Sequence, residues 1–267
     1  TYFPHFWEVR CGGAKMSPMD IYNDDEKFKK TIRKCWKWNT THFKGEEGME
    51  KNTFKENRLR QSIKIYTGTQ SVSNFRPTAA KLIYEKFGGD TIWDMSCGWG
   101  GRLIGFLASS RKKYIGTEPS SLTFEGLEKI KKDFFYLKKS VELHKLGSEE
   151  FIPDRNSLDL CFTSPPYFDT EKYSDEDTQS YIKFPTKEEW VNGFLRKTIE
   201  NCYRGLKDGK YMLINIANTP KYKFIEEETQ RIAKELGFVQ NDTLQLTLSS
   251  VMGAGYKYEP IFVFKKN

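Results

Sequence analysis

The sequence has few of the residues that build metal sites and disulfide frameworks. It contains three histidines and five cysteines among 267 residues, and no two cysteines form a Cys-x-x-Cys pair. The cysteines are odd in number and lie far apart in the chain: Cys11, Cys35, Cys97, Cys161 and Cys202. We therefore expect no bound metal and no disulfide framework, and we expect reduced cysteines, as in a cytosolic protein.

Long apolar runs are also absent. No stretch approaches the roughly 18 apolar residues of a membrane helix. Residues 1–10 mix charged and aromatic side chains, unlike a signal peptide. We therefore expect no membrane partner. The aromatic content of 15% is enough to fill a core and argues against disorder throughout the chain.

Positive charge is concentrated near the amino terminus. The chain carries a net charge of +7, and residues 1–70 hold 14 Lys and Arg against 9 Asp and Glu. In residues 27–37 basic side chains alternate with aromatic ones, and Lys30, Arg33 and Lys34 are candidates for contact with nucleic acid. Such a segment is typical of a surface that neutralises phosphates and stacks on bases. It is equally typical of a solvated amphipathic helix whose aromatic residues anchor it to the core.

From about residue 71 the pattern changes to alternating helices and strands. The predicted strands are Thr91–Asp94, Lys113–Gly116, Ser157–Thr163, Tyr211–Ile216, Thr243–Leu248 and Pro260–Phe264. The predicted helices are Ser17 to about Trp38, Ala79–Phe87, Leu103–Ser109, Ser121–Lys139, Glu188–Leu206 (ended by Gly209) and Phe224–Leu236. This order predicts an α/β fold with a doubly wound, mostly parallel sheet and antiparallel pairing at the carboxyl end. We expect a basic helical extension over 1–70 and one domain over 71–267.

The strand predicted at Thr91–Asp94 leads into a glycine-rich turn that contains Gly98 and Gly100. Glycines let the backbone approach a ligand, and the helix that follows directs its first N–H groups toward it. Glu118 follows the next strand, where a carboxylate can bind both hydroxyls of a ribose. A glycine turn can also form without a ligand, but the acid at this spacing favours a nucleotide-like cofactor.

A second motif, Ser164-Pro165-Pro166-Tyr167, follows the apolar strand at Ser157–Thr163. The two prolines hold the backbone extended and remove its N–H groups from any sheet ladder. Such a turn suits a flipped-out base, because oxygen acceptors can hold its exocyclic amine while the tyrosine stacks on the ring. The alternative is a plain proline turn with a core tyrosine, which does not predict the glycine turn upstream.

Together these motifs resemble the S-adenosylmethionine-dependent DNA amino-methyltransferases, which modify the exocyclic amine of cytosine or adenine. The catalytic tetrapeptide of that family is Asp/Asn/Ser-Pro-Pro-Tyr/Phe, and the serine form is commoner in the cytosine enzymes. The resemblance covers residues 70–267 and is strongest to phage or mobile-element members. It implies a class I methyltransferase-like fold, S-adenosylmethionine as cofactor and DNA as partner, in the cytoplasm of a bacterial, archaeal or phage-infected cell.

The resemblance also implies roles for individual residues. The candidate cofactor-binding residues are Phe75, Arg76, Pro77, Thr78, Asp94, Ser96, Cys97, Gly98, Gly100, Glu118, Ser148 and Glu149. The candidate catalytic residues are Ser164, Pro165, Pro166 and Tyr167, and Tyr173 also recurs in serine-type members. If the acidic loop after the tetrapeptide covers the site, Tyr173 or Tyr181 would lie near the base. Ser96, Cys97 and Trp99 depart from the family's usual Phe-x-Gly-x-Gly. Direct transfer needs no cysteine nucleophile, so we interpret Cys97 and Cys161 as core or pocket residues.

No large target-recognition domain fits in the chain, which leaves two segments as candidates for that role. They are the basic residues 1–70 and the acidic loop 168–185. The loop is either a lid or a solvated insertion. A further glycine-rich turn, residues 252–256, either borders the target pocket or, as we favour, is a flexible hairpin. Cytosine N4 is the favoured target; the alternatives are adenine N6, an RNA or other amine, or a catalytically silent nucleic-acid-binding subunit. The sequence assigns no restriction partner and no oligomeric state.

Overall fold

The computed structural model describes residues 1–11, 16–42, 59–63, 72–251 and 255–267. The centre of the glycine-rich turn, residues 252–254, therefore lies outside the described residues. The helices are α1 Pro18–Tyr22, α2 Asp25–His42, α3 Pro77–Phe87, α4 Gly101–Leu107, α5 Ser121–Asp133, α6 Ser180–Lys183, α7 Lys187–Trp190, α8 Arg196–Gly205 and α9 Ile225–Glu235. The strands are β1 Arg10–Cys11, β2 Thr91–Asp94, β3 Lys113–Thr117, β4 Ser140–His144, β5 Leu158–Thr163, β6 Glu171–Lys172, β7 Leu206–Asn215, β8 Phe238–Val251 and β9 Gly255–Lys266.

The chain divides into two compact units. The larger consists of residues 1–3, 74–169 and 174–267, and the smaller of residues 4–73 and 170–173. The smaller unit contains α1, α2 and a two-stranded antiparallel sheet of β1 and β6. We describe each unit separately.

A seven-stranded sheet forms the centre of the larger unit, in the order β4-β3-β2-β5-β7-β9-β8. The first five strands are parallel, whereas β9 runs antiparallel to both β7 and β8. All six residues of β5 are buried, as expected for a parallel strand covered by helices on both faces. The predicted doubly wound, mostly parallel sheet with an antiparallel carboxyl end is confirmed.

The helix predicted from Ser17 to Trp38 is two helices. Ser17 caps the first through a capping box with Asp20, and the break comes at Asn23 and Asp24. The Asp24 carboxylate accepts a hydrogen bond from the Lys27 backbone N–H at 3.0 Å. A side chain that satisfies a free N–H in this way starts a new helix, so the prediction of one continuous helix was wrong.

Two other predicted helices have different bounds. The helix predicted over 121–139 ends at Asp133, and β4, which was not predicted, follows a short 3-10 turn at Phe135–Leu137. This edge strand is only half buried, so its sequence contains no apolar run from which a strand could be predicted. The helix predicted over 188–206 contains a π turn at Val191–Leu195 and ends at Gly205. Gly209, expected to end that helix, lies inside β7.

Helix α2 of the smaller unit presents a basic face. Lys30, Arg33 and Lys34 are all exposed, whereas Thr31 and Cys35 of the same helix are buried. Lys30 neighbours Arg33 and Lys34 on the helix surface, as Thr31 neighbours Cys35, because residues three or four apart lie on one side of a helix. The exposed side of α2 is therefore basic. The contact of this face with nucleic acid stays a prediction.

Candidate active site

The two motifs follow neighbouring strands of the larger unit's sheet. After β2 the chain adds β3 and β4 on one side, and after β5 it adds β7 on the other, so the strand order reverses between β2 and β5. In open α/β sheets, the crevice at such a reversal, outside the carboxyl ends of the strands, binds the ligand. The glycine turn leaves β2 and the tetrapeptide leaves β5 at this same edge.

The glycine turn has the backbone conformation that its sequence requires. Gly98 and Gly100 have φ angles of +51° and +70°, values that residues with a Cβ rarely adopt. A Cβ at Gly100 would lie 2.8 Å from Cδ1 of Ile130, whereas none of the described atoms lies within 4 Å of a Cβ at Gly98. The backbone therefore faces open space at Gly98, where a ligand can approach it.

Asn74 fixes the preceding segment to this turn. Its Oδ1 accepts a hydrogen bond from Gly101 N at 3.1 Å, and its Nδ2 donates to the Trp99 carbonyl oxygen at 3.0 Å. A Cβ at Gly101 would collide with the Phe75 carbonyl oxygen. The segment before α3 thus lies directly against the glycine turn. Asn74 was not among the site residues predicted from the sequence.

The Glu118 carboxylate lies beside the turn and is almost fully buried. Oε2 accepts a hydrogen bond from Gly98 N at 2.9 Å, and Oε1 accepts one from Ser120 N at 3.0 Å. Burial raises the pKa of Glu118 to about 7, although the two backbone N–H groups oppose that rise. The acid expected to hold a ribose is therefore adjacent to the glycine that faces open space.

Asp94, predicted to bind cofactor, is completely buried. Its two oxygens accept hydrogen bonds from Arg102 Nε at 3.0 and 2.9 Å, and Tyr114 Oη donates to Oδ2 at 2.6 Å. Arg102 also donates to the Ser96 carbonyl oxygen. The Asp94 carboxylate is thus occupied in holding the turn from behind. Sequence reasoning did not identify Arg102 or Tyr114 as its partners, because spacing along the chain does not reveal which buried groups pair.

Four other predicted cofactor residues lie where the chain enters α3. Phe75 packs edge-on against Phe162 with a centroid distance of 5.3 Å. Pro77 begins α3, with Arg76 as N-cap and Thr78 exposed in its first turn. The Arg76 guanidinium donates to the Leu248 carbonyl oxygen of β8. Their contact with a cofactor stays a prediction.

Ser148 and Glu149 follow β4. Ser148 is buried, and its hydroxyl hydrogen-bonds the Thr198 hydroxyl at 2.7 Å. Glu149 Oε1 accepts a hydrogen bond from Lys183 at 2.8 Å, whereas its Oε2 is buried without a hydrogen-bond partner. A buried oxygen without a partner is costly, so Glu149 retains an acceptor for a ligand group.

The tetrapeptide is connected to the glycine turn through the residue before it. The Thr163 hydroxyl lies 3.3 Å from Asp94 Oδ1 and 3.4 Å from the Ser96 carbonyl oxygen. Ser164, the next residue, is partly exposed, and Pro165 is buried. The candidate catalytic serine thus stands one residue from a direct contact with the cofactor turn.

Tyr167 is held at the carboxyl end of β7. Its hydroxyl donates to the Asn215 carbonyl oxygen at 3.3 Å, and Asn215 Nδ2 donates to the Pro260 carbonyl oxygen at 2.9 Å. Glu259 on β9 lies beside the side chains of Asn215 and Tyr167, and burial raises the pKa of its carboxyl group. The sequence analysis did not single out Asn215 or Glu259, since the pairing of β7 with β9 brings them to this place.

Residues 174–185 of the acidic loop form defined contacts in the larger unit. The Glu176 carboxylate accepts hydrogen bonds from Ser121 N at 3.1 Å and Ser121 Oγ at 2.7 Å, at the amino terminus of α5. The Tyr181 hydroxyl donates to the Ser174 carbonyl oxygen at 2.7 Å. Tyr173 belongs to the smaller unit, where its hydroxyl donates to Glu171. The segment after the tetrapeptide is thus attached to the loop that carries Glu118.

All five cysteines are buried free thiols. Burial raises the pKa of Cys97 well above its usual range, so its thiol is protonated near neutral pH. Among the described residues no group of three or more His, Cys, Asp or Glu could hold a metal ion. None of the described helices is both long and apolar enough to cross a membrane.

Part of the chain matches a family of known proteins. Residues 158–267 match the family model of N6/N4 methyltransferases described as DNA methylase, a stretch that includes the tetrapeptide and the last three strands. Over these residues the match agrees with the resemblance to the DNA amino-methyltransferases that the motifs indicated. No curated protein matches the chain.

Solved structures share the fold. The chain is similar to the N-methyltransferase NodS from Bradyrhizobium japonicum WM9, with 12% identity and a TM-score of 0.51 over 71% of this chain and 93% of that one. It is also similar to the [4+2]-cyclase SpnF, with 12% identity and a TM-score of 0.50 over 71% of this chain and 81% of that one. The predicted methyltransferase-like fold class is thus confirmed.

Proposed function

We propose that this protein, whose residues 158–267 match a DNA methylase family, moves a methyl group from S-adenosylmethionine to the exocyclic amine of a DNA base. The observation that carries the proposal is the contact of Thr163 with Asp94 and the Ser96 carbonyl oxygen. This contact supports a site in which the tetrapeptide binds the target base beside the methyl donor held by the glycine turn. Cytosine N4 is the favoured target because Ser164 opens the tetrapeptide.

The residues around Gly98 fit the cofactor. The open space at Gly98 admits a ligand against the backbone, Glu118 offers carboxylate oxygens to two ribose hydroxyls, and Glu149 Oε2 is a free acceptor for an amine. When bound, S-adenosylmethionine supplies a methyl group on a positively charged sulfur. Every other part of the chemistry falls to the protein's own side chains and backbone.

The tetrapeptide would position the target amine. Hydrogen bonds from the amine to Ser164 Oγ and the Pro165 carbonyl oxygen would favour a tetrahedral nitrogen whose lone pair is free to attack the methyl carbon. The N–C bond would form as the S–C bond breaks and leaves its electron pair on sulfur, and the methylated amine would then release one proton to solvent. Tyr167 would stack on the ring of the base, with its hydroxyl fixed by the Asn215 carbonyl oxygen. Preorganised acceptors and fixed orientation are the main sources of rate in such a transfer.

Methyl transfer from tritiated S-adenosylmethionine tests the proposal directly. The purified chain is incubated with double-stranded DNA, single-stranded DNA and transfer RNA in parallel, and the products are digested for nucleoside mass spectrometry. We expect N4-methylcytosine in DNA. N6-methyladenine in DNA corrects the base and keeps the reaction, whereas label found only in RNA, or in no nucleic acid, refutes the DNA proposal.

Variants of the tetrapeptide separate catalysis from folding. Ser164→Ala and Tyr167→Ala should each abolish most of the methyl transfer while S-adenosylmethionine still binds in calorimetry. Ser157→Ala is the matched control, since Ser157 precedes the opposite end of β5 and its hydroxyl donates only to the Asp154 carbonyl oxygen among the described contacts. If the wild-type chain does not bind S-adenosylmethionine and forms no methylated nucleoside, the result supports the alternative of a catalytically silent subunit.

A further inference from the structure

Strands β8 and β9 extend past the edge of the sheet on the side of the candidate active site. The last residue of β7, Asn215, pairs with Ile261 of β9. The six residues of β9 before Ile261 pair with β8 alone, as far as Val251 opposite Gly255. At about 3.4 Å per residue, this two-stranded extension is about 20 Å long. It extends from the carboxyl end of β7, which is the edge where the parallel strands β2 and β5 also end.

The extension carries exposed aromatic side chains. Tyr256 and Tyr258 expose 61% and 49% of their surface, and their ring centroids lie 6.4 Å apart. Residues two apart in a strand share a face, so the two rings form one aromatic surface, with exposed Lys257 between them in sequence. These two side chains contribute little to the hydrophobic core, because about half or more of their surface is exposed.

The charge of this segment is suited to a nucleic acid. Residues 243–258 contain Lys257 and no Asp or Glu, although the whole chain contains 36 acidic residues. The exposed Arg76, whose guanidinium donates to the Leu248 carbonyl oxygen, adds a second positive charge at the middle of the β8 side of the extension. A basic surface with stacked aromatic rings is the combination that binds nucleic acid strands.

The extension is also connected to the tetrapeptide. Glu259, the residue after Tyr258, lies beside the Tyr167 side chain. Pro260 accepts a hydrogen bond from Asn215, whose carbonyl oxygen accepts the Tyr167 hydroxyl. The aromatic pair therefore begins one residue from a direct contact with the tyrosine proposed to stack on the target base.

From this geometry we infer that the β8–β9 extension binds the DNA strand next to the target base, through Tyr256, Tyr258 and Lys257. This inference rests on the proposed function and specifies which surface reads the substrate. The tyrosine rings offer planes on which flanking bases or sugars pack, and Lys257 neutralises a phosphate. A two-stranded ribbon of this kind is narrow enough to enter the major groove of a duplex.

A double variant, Tyr256→Ala with Tyr258→Ala, tests the inference in the full chain. DNA binding is measured by the anisotropy of a fluorescein-labelled 30-base-pair duplex and of its single strand, with S-adenosylhomocysteine present. We expect the dissociation constant and the KM for DNA to rise about 10-fold or more, as loss of base stacking implies. Affinity for S-adenosylmethionine and the melting temperature should stay unchanged, because both side chains are exposed.

The matched control is Phe135→Ala with Tyr136→Ala. These side chains are 79% and 61% exposed and precede the amino end of β4, at the opposite edge of the sheet. DNA binding by the control should match the wild type within about twofold. Lys257→Gln should lower the slope of log K against log salt by about 0.9, as expected when one phosphate is no longer neutralised.

The outcomes distinguish the two proposals. If the wild type methylates DNA and the Tyr256/Tyr258 variant binds and methylates it with wild-type KM, the hairpin inference is wrong and the proposed function stands. A control variant that loses as much affinity as the hairpin variant also overturns the inference. If the wild type neither binds nor methylates DNA, both proposals fail together.

Discussion

Arg102 donates its Nε–H to both oxygens of Asp94, at 3.0 and 2.9 Å, although the two side chains are only 5% and 0% exposed. Asp94 ends β2 and Arg102 lies in the first turn of α4, so the pair holds the two ends of the glycine turn together. Tyr114 and Thr163 complete the hydrogen bonds of the carboxylate. In this structure the Asp94 carboxylate thus stabilises the glycine turn from inside the protein.

Removing the cation from this pair should destabilise the fold. Arg102→Met leaves a buried carboxylate without its partner, which costs about 3–5 kcal/mol. Urea unfolding followed by circular dichroism measures this loss. The control is Arg231→Met, since Arg231 forms exposed ion pairs with Glu228 and Glu235, and its loss should cost about 1 kcal/mol or less. Equal losses in the two variants would contradict the assigned role of the buried pair.

Ligand binding should depend on the ionisation of Glu118. Burial raises its pKa to about 7, and a carboxylate accepts ribose hydroxyls better than the protonated acid does. Affinity for S-adenosylhomocysteine should therefore rise about 10-fold from pH 6 to pH 8 in calorimetry, as the carboxylate fraction grows. Glu118→Gln should bind weakly with a flat profile, and Glu125→Gln, an exposed acid on α5, should keep the wild-type profile.

The stability of the free protein should change with pH in the opposite direction. The folded state raises the pKa of Glu118 above its ordinary value of 4.5, so the folded state binds more protons in this range. The Glu118 contribution is then fully present below about pH 4.5 and is lost as the pH rises to about 7, by about 3 kcal/mol. The free energy of unfolding of the wild type and of Glu118→Gln is measured between about pH 4.5 and pH 7, and the difference between the two isolates the Glu118 contribution. A difference that does not change with pH would contradict this prediction.

Glu176 should hold the segment after the tetrapeptide in place. Its carboxylate accepts two hydrogen bonds from Ser121 at the amino terminus of α5, and such a cap contributes about 1 kcal/mol. Glu176→Ala should therefore speed amide hydrogen exchange in residues 174–185 and in the first turn of α5. Asp177→Ala, an exposed neighbour, serves as control and should leave both regions protected.

The Tyr167 hydroxyl should contribute to catalysis through positioning. Tyr167→Phe keeps the ring but removes the donor to the Asn215 carbonyl oxygen, a bond of about 1 kcal/mol. We expect kcat to fall about 2- to 10-fold with cofactor affinity unchanged, against near-complete loss in Tyr167→Ala. Tyr203→Phe, on α8, is the control. A Tyr167→Phe enzyme with wild-type kcat would exclude a role for this hydrogen bond.

The basic face of α2 provides a separate test of DNA binding. Lys30→Gln, Arg33→Gln and Lys34→Gln together should weaken DNA binding and lower the slope of log K against log salt by up to about 3, at roughly 0.9 for each phosphate that is no longer neutralised. A control with Lys129→Gln, Lys132→Gln and Lys138→Gln removes three exposed charges from the larger unit. An equal effect in both variants indicates only a change in net charge.

The sequence by itself determined the alternation of helices and strands after about residue 71 and the two motifs. Glycine at positions 98 and 100 and proline at 165 and 166 restrict the backbone locally, so their turns were predictable without knowing the fold. The buried run of β5 likewise identified a strand from composition alone. The half-exposed strand β4 and the break at Asn23 were missed, because neither has an apolar run or a proline to mark it.

Only the tertiary structure decided what each site residue contacts. Asp94 was assigned to the cofactor from its place in the motif, but the sheet brings Arg102, Tyr114 and Thr163 around it and leaves it no exposed oxygen. The pairing of β7 with β9 brings Glu259 to Tyr167 across about 90 residues of chain. Contacts of this kind depend on burial and strand register, which many residues fix together, and no local spacing in the sequence encodes them.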